Sequence, residues 1–464
     1  MKPHIHTDSP LTVDPSPFSV PRSPSAVYFL GIGGIGMSAL ARYYKHAGAQ
    51  VAGYDRTPSP LTAALEHEGM AIHYDDDVAL IPPAFTASPE NTLVIYTPAL
   101  PAEHSELNYF KNNNYTLIKR SKALGHIAAT KTTLAVAGTH GKSTITTLLA
   151  HLLTQVAGGC TAFLGGISKN YGSNLLLSDA PALVAEADEF DRSFLQLFPH
   201  IAVITATDAD HLDIYGTAAE VKKAFADFAG QVKPGGALII KLGVDLPQTA
   251  SPGVGHVYRY ALDQPCDFYA DNIRRMDSGL LKFDLHLLDT VLRDCVLGVP
   301  GRMNVENAVA AAAAAYLYGL NGGLTDLSKG LTDLSEGLTD LSERLTDLTE
   351  GRSEVTERRS EVTERRSEAT ERHSEVSEEG SVLRSPASPQ PQPHPPPHAL
   401  RRGGKGKEGL EQTSLPLGEG WGGAVLLREA LATFSGVQRR FDIQLHTPTC
   451  TYVDDYAHHP EELR

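Results

Sequence analysis

Apolar residues come in short runs along most of the chain, and each run ends in glycine or in acidic residues. Residues 26–55, AVYFLGIGGIGMSALARYYKHAGAQVAGYD, open the series with an apolar run, a glycine turn, apolar positions at helical spacing, and a second short run. That order predicts strand, turn, helix and strand, a βαβ unit. A further strand is predicted in TLVIYTPAL, 92–100, and a helix around 121–130, closing a first, Rossmann-like α/β domain over 26–130.

A second unit opens at Thr133, where the run TLAVAG leads through THGKST into the helical pattern TITTLLAHLL. The later runs PALVAEAD and HIAVITATDAD each end in acidic residues. Repeated strand-to-polar-loop transitions predict a doubly wound, mostly parallel sheet in a central domain with a phosphate loop, over 131–320 and 425–438.

The pattern breaks after Leu320. Near-identical seven-residue units (GLTDLSK, GLTDLSE, RLTDLTE, then GRSEVTE and RRSEVTE) fill 323–378, followed by the proline-rich SPQPQPHPPPH and a glycine-rich stretch. Two leucines per early unit have coiled-coil spacing, but Gly330 and Gly337 each cost about 1 kcal/mol of helix stability. The expectation is a solvated low-complexity insertion over 321–424, with ordered sequence resuming at LLREALATF. Residues 1–25, rich in proline, read as a flexible tail rather than a signal peptide.

Composition narrows the class. A formal charge of -15 repels nucleic acid and anionic membrane surfaces from the average surface. The longest apolar run, Ala308 to Tyr316, is far short of the roughly 20 residues of a membrane span. Cys160, Cys266, Cys295 and Cys450 are scattered and form no CxxC pair, which fits a reducing cytoplasm better than a disulfide framework or zinc site.

Chemistry concentrates where predicted strands end. AGTHGKST, 137–144, feeds a strand through a glycine turn into a helix, so backbone N–H groups and the helix dipole face an anion. Lys142 would neutralise β/γ-phosphates and the Ser143 hydroxyl would reach Mg²⁺. The loop is a short variant starting at Gly138, because Val136 stands where the general pattern has its first glycine. Glu186 and His211 follow the next predicted strands and could coordinate a divalent ion; a residue of this kind taken singly is more often a cap or surface residue. Gly31, Gly33, Gly34 and Gly36, with Asp55 ending the second strand, match the dinucleotide fingerprint and would alone suggest NAD. A UDP-sugar also carries a diphosphate, so the turn by itself does not choose.

Seven motifs in order, GIGGIGMSALA, AGTHGKST, EADEFDRSFL, DADHLDIYG, GRMNVENAVAA, FSGVQRRFD and DDYAHHP, resemble the Mur ligase family, most closely its alanine-adding branch. The resemblance covers 26–320 and 425–464. It implies a three-domain ATP-dependent ligase of peptidoglycan precursor synthesis. The first domain holds UDP-N-acetylmuramate through the glycine turn, the central domain holds ATP, and a third, Rossmann-like domain receives L-alanine. The lactyl carboxylate would take the γ-phosphoryl group, and the amine would displace it from the acyl phosphate. The resemblance further implies that Gly138, Thr139, His140, Gly141, Lys142, Ser143 and Thr144 bind the triphosphate. Ser143 and Glu186 would hold one magnesium ion and His211 a second, with Asn304 and Asn307 near adenine. Arg440, Asp442, Asp455 and His459 resemble the segments that lead into the third domain and reach back to the nucleotide, with interdomain salt bridging as the plainer alternative. Met303 departs from the family, many members of which have histidine there; its thioether could still pack against adenine.

Only residues up to Arg464 follow Phe434, whereas an α/β domain needs on the order of 100. The third domain is therefore expected to be incomplete over 439–464, with a lone strand poorly docked and ligation weak or absent. Three rival readings stand beside this one: a sibling ligase that attaches a preformed peptide to the same UDP-sugar, an NAD-dependent oxidoreductase, and a non-catalytic scaffold associating through the heptads. The oxidoreductase leaves Lys142, Ser143, Glu186 and His211 without a role.

Overall fold

A computed structural model describes residues 24–208, 212–247, 255–319, 423–447 and 450–456. The tail before residue 24, the heptad and proline-rich segments, His211 and His459 lie outside the described residues.

The first sheet contains β1 (Ala26–Leu30), β2 (Gln50–Tyr54), β3 (Ala71–His73), β4 (Thr92–Tyr96) and β5 (Thr116–Lys119), in the order β3-β2-β1-β4-β5 and all parallel. Its helices are α1 (Ile35–His46), α2 (Pro60–His67), α3 (Ser105–Asn112) and α4 (Arg120–Ala129). β1 is apolar throughout because both of its faces are covered. Val27 and Phe29 pack with Leu40 of α1 and Ile127 of α4, while Tyr28 and Leu30 pack with Phe85 and Phe110 on the other face. The chain runs outwards from β1 to β2 and β3, then crosses back to β4, so a crevice opens at the C-terminal end of β1. The expected tail ends earlier than residue 25: the Ser25 carbonyl accepts from the Gln50 N–H at 2.9 Å, because the edge of β2 needs a partner there.

Under α3 lies a buried polar cluster. The Tyr28 hydroxyl donates to Glu106 Oε2 at 2.7 Å and lies 2.7 Å from His73 Nε2, and the Glu106 side chain is fully buried. Burial, with repulsion from Asp76 and Asp77 added, outweighs the Tyr28 hydrogen bond and pushes the Glu106 carboxyl up to about 7. The fold thus binds a proton that the unfolded chain releases near 4.5. The resulting stabilisation, on the order of 3 kcal/mol, is fully present below 4.5 and is lost as pH rises through 7. His73 and His104, both pushed down by burial, work in the opposite sense around their ordinary 6.5. The difference between wild type and Glu106→Gln removes most of that background. In thermal melts from pH 5 to 8, wild type is expected to lose stability relative to the glutamine variant; parallel curves would contradict the assignment.

The second sheet has the order β15-β14-β13-β12-β11-β10-β6-β9-β7-β8. Its strands are β6 (Thr132–Ala137), β7 (Thr161–Phe163), β8 (Leu175–Leu176), β9 (Ala182–Glu186), β10 (Ile201–Ile204), β11 (Ala237–Lys241), β12 (His256–Leu262), β13 (Phe268–Arg275), β14 (Leu281–Leu287) and β15 (Thr290–Leu297). From β7 and β9 through β6 and β10 to β13 the pairing is parallel; β13–β14–β15 and β7–β8 are antiparallel. β6 has β9 on one side and β10 on the other, so the loops ending all three strands meet at one edge. Helices α5 (Lys142–Val156), α6 (Leu212–Tyr215), α7 (Ala218–Gly230), α8 (Arg302–Tyr318) and α9 (Gly423–Thr433) complete the described residues. The alanine run of α8 is buried on every side, since small side chains let the helix lie close against α5 and the sheet. No described helix is long and apolar enough to cross a membrane, and all four cysteines are free thiols.

α9 begins at Gly423, slightly before the expected end of the insertion at 424, and packs on α5 and β15. Buried His151 of α5 fastens it, with Nε2 3.0 Å from Thr433 Oγ1 and 3.1 Å from the Ala430 carbonyl. Beyond it, the expected lone strand is in fact a hairpin, β16 (Asp442–His446) paired antiparallel with β17 (Thr451–Asp454). A neighbouring strand satisfies the backbone groups that an isolated one would leave open.

Candidate active site

β6 ends against its neighbours so closely that only glycine fits. Gly138 has φ +128°, and a Cβ there would lie 2.1 Å from Thr205 Oγ1 of the loop after β10. Gly141, at φ +79°, is the left-handed residue from which α5 starts, and a Cβ on it would lie 2.8 Å from Asn307 Oδ1. The loop therefore wraps the N-terminus of α5, where unpaired N–H groups favour an anion.

Lys142 occupies the first position of α5, and its Nζ donates to the Gly138 carbonyl and to Glu189 Oε1, both at 2.7 Å. Burial pulls this ammonium down, but Glu189, Glu186 and the hydrogen bond together outweigh it and leave it raised. Glu186 ends β9; burial raises its carboxyl against the opposing pull of Lys142 and a hydrogen bond from Ser143. Glu186 Oε2 and Glu189 Oε2 are buried oxygens with no hydrogen-bond partner among the described residues. The Glu186 carboxylate, beside the Ser143 hydroxyl, offers the oxygen donors that a hard cation takes. Among the described residues no group of three His, Cys, Asp or Glu is placed to hold a metal ion.

Lys142, Ser143 and Glu186 face a cavity of about 380 Å³. Thr139, His140 and Thr144 of the loop line it, and Asn304, Asn307 and half-exposed Met303 reach it from α8. Arg440 and Asp455 border it from the segment around β16 and β17, whereas Asp442 turns away to receive Lys169 Nζ at 2.6 Å. Sequence reasoning missed several groups at the cavity or directly behind it. Glu189 stood in the quoted EADEFDRSFL motif without a role, and Asp208, which accepts from Thr139 Oγ1 at 3.2 Å, stood in DADHLDIYG. The Lys241–Glu306 ion pair (2.8 Å) and buried Tyr260 at the wall had no local signal.

Gly165, in the loop after β7, was also missed. A Cβ there would lie 1.8 Å from Glu186 Oε2, so the backbone acts as a stop behind the carboxylate. Gly165→Ala is expected to displace that carboxylate and weaken Mg-ATP binding about 10- to 100-fold while the melting temperature changes little. Calorimetric titration checks this, and unchanged affinity would remove Glu186 from the site.

The glycine turn after β1 lies at the first crevice. Gly31 has φ +89°, and its Cβ would lie 2.5 Å from Thr97 Cγ2 after β4. Gly34 caps α1, and a Cβ on Gly36 would lie 2.9 Å from Arg120 Nη1. Asp55 closes the turn from within, accepting from the Gly33 N–H at 2.7 Å and the Thr57 N–H at 3.2 Å. Arg120 in turn reaches Asp188 Oδ2 at 3.3 Å, connecting the turn to the segment after Glu186.

Comparison with known proteins shows the family of the chain. Residues 26–132 match the model of the Mur ligase family catalytic domain, and 136–315 that of the Mur ligase middle domain. The chain is 51% identical over 441 residues to a UDP-N-acetylmuramate--L-alanine ligase of Parabacteroides distasonis, covering 95% of this chain and 73% of that relative. It is 52% identical over 295 residues to the ligase of the same name from Porphyromonas gingivalis, covering 63% and 64%. The chain thus spans between about two thirds and three quarters of these relatives. A crystal structure of a UDP-N-acetylmuramate-alanine ligase from Thermotoga maritima superposes with a TM-score of 0.62 at 22% identity, over 94% of this chain and 75% of that one. A murein peptide ligase from Psychrobacter arcticus gives 0.58 at 20%, over 95% and 74%. At these identities, the two structures speak for the fold alone.

Proposed function

Because this chain belongs to the Mur ligase family of ATP-dependent ligases, we propose that it joins L-alanine to the lactyl carboxylate of UDP-N-acetylmuramate in peptidoglycan precursor synthesis, in the cytoplasm. The observation that carries the reading is the pair of anion-binding glycine turns, one starting α1 and one starting α5, with Lys142 and Glu186 beside the second.

In this reading the N–H groups of Gly138 to Thr144 hold the triphosphate, and Lys142 leaves Glu189 to meet the β- and γ-phosphates. Ser143 and Glu186 would hold a magnesium ion, and His211, by its motif, would help hold a second. Bound magnesium supplies positive charge against the phosphate oxygens. Asn304, Asn307 and Met303 border the adenine end; Arg440 and Asp455 close the site from the third-domain side. Gly31, Gly33, Gly34 and Gly36 seat the UDP-sugar diphosphate, and Asp55 keeps the turn in shape. A lactyl carboxylate oxygen attacks the γ-phosphorus, ADP leaves, and an acyl phosphate forms. The uncharged amine of L-alanine attacks the acyl carbon, phosphate leaves, and the nitrogen gives up its proton. Lys142 stabilises the moving charge of the first step.

The test is ADP release by the purified chain with Mg-ATP and UDP-N-acetylmuramate, with and without L-alanine. Release requiring both substrates supports the reading; release with a preformed tripeptide but not L-alanine would favour the sibling ligase that attaches a preformed peptide, and binding of NAD in place of the UDP-sugar would overturn both. The curated relatives at 51% and 52% identity carry the name of the alanine ligase, which favours that branch.

A further inference from the structure

Between β7 and β8 the chain makes a loop, 164–174, that touches three separate parts of the fold. Its near end is the Gly165 backbone behind the Glu186 carboxylate. Its far side holds the segment leading to β16: Lys169 N–H donates to the Gly436 carbonyl at 3.0 Å, Gln438 N–H donates to the Ile167 carbonyl at 2.9 Å, and Lys169 Nζ pairs with buried Asp442. Its last residue, Asn174, is fully buried and reaches the other sheet's first helix. Asn174 Nδ2 donates to the Ile35 carbonyl at 2.6 Å and to Ser38 Oγ at 2.9 Å, and its Oδ1 accepts from Arg42 Nη1 at 2.5 Å.

Ile35 and Ser38 form the first turn of α1, directly after the glycine turn at Gly31 to Gly36. Inside the loop, Leu164 N–H donates to the Asn174 carbonyl at 3.0 Å, so Asn174 is held opposite the residue preceding Gly165. A continuous path of packed backbone and hydrogen bonds therefore runs from the Glu186 carboxylate through Gly165, Leu164 and Asn174 to the start of α1. A buried amide with three side-chain bonds to one helix leaves that helix little freedom to shift, since each displaced bond exposes an unsatisfied polar group to the interior.

We propose that Asn174 is a positioning residue that sets the glycine turn of α1 relative to the Glu186 carboxylate, so that occupancy of the nucleotide cavity and of the diphosphate turn are coupled. The proposal rests on the ligand assignment made above for those two sites. A group transferred between two bound molecules needs its partners placed to within a fraction of an ångström, and a fixed distance between the two cradles provides this.

The experiment is a thermodynamic cycle on the full chain by calorimetry. The Kd of UDP-N-acetylmuramate is measured without and with a saturating non-hydrolysable Mg-ATP analogue, for wild type, Asn174→Ala and Arg42→Ala. Wild type is expected to bind the UDP-sugar about tenfold more tightly when the nucleotide analogue is present. Asn174→Ala should bring that factor close to one while each ligand alone keeps its affinity, a split that general loosening of the fold would not produce. Arg42→Ala removes one of the three bonds from the partly exposed side of the contact, and is the deciding variant if Asn174→Ala does not fold; it should at least halve the factor. Coupling retained in the folded variants overturns the proposal, as does a wild type that binds both ligands independently. A wild type that binds neither ligand overturns the ligase reading instead.

Discussion

Lys142→Ala is expected to abolish detectable Mg-ATP binding and to lower any ADP release at least about 10³-fold, the scale on which a preorganised charge contributes to phosphoryl transfer. The same change has a second consequence. Lys142 is nearly enclosed and its partner Glu189 is 3% exposed, so removing the ammonium leaves a buried carboxylate without its counter-charge. Breaking a buried pair from one side typically costs about 3–5 kcal/mol. The alanine variant should therefore melt well below wild type, and lost binding could be mistaken for lost fold. Lys142→Met combined with Glu189→Gln separates the two effects, because it removes both charges and keeps much of the volume. That double variant should recover most of the melting temperature and none of the nucleotide binding; recovered binding would mean that Lys142 serves the fold rather than ATP.

The second large effect belongs to Glu186. Its carboxyl is raised by burial, and Lys142 and Ser143 hold it down only in part. A neutral carboxyl is a poor ligand for a divalent cation. Magnesium-dependent nucleotide binding should therefore weaken as pH falls through the raised value of Glu186, a loss beginning at higher pH than an ordinary carboxylate would give. Glu186→Gln removes the charge while keeping the shape: it should weaken Mg-ATP binding about 100-fold and abolish this pH dependence. Its stability should hold or rise near neutral pH, because the amide carries no buried charge. Titrations of Mg-ATP at several pH values, with melts alongside, check both; a glutamine variant that retains magnesium dependence would move the ion elsewhere.

Both effects arise where the sequence was most readable. Glycines at left-handed positions, the lysine and serine that start α5, and the acidic residue that ends β9 are local features, because a strand, a turn and a helix start leave their pattern within a dozen residues. The mostly parallel character of the second sheet followed from the same local units. The antiparallel extension β13–β14–β15 was not read, although LKFDLHL shows the period of two and the turns joining the three strands lie at Ser278–Gly279 and at Leu288–Asp289. The hairpin at β16 and β17 was expected as a lone strand because its pairing depends on a turn with no strong glycine signal.

The sequence by itself determined the two glycine turns, the helices they start and the family to which the chain belongs, because each is written in residues close together. Tertiary structure alone decided that Glu189 holds Lys142, that Gly165 backs Glu186, that Asp55 faces its own turn, and that Asn174 bonds α1. Lys142 meets Glu189 because β6 lies beside β9, and Asn174 meets Ile35 because a loop of the second sheet packs on a helix of the first; in both cases a buried polar group takes whichever partner the packing delivers.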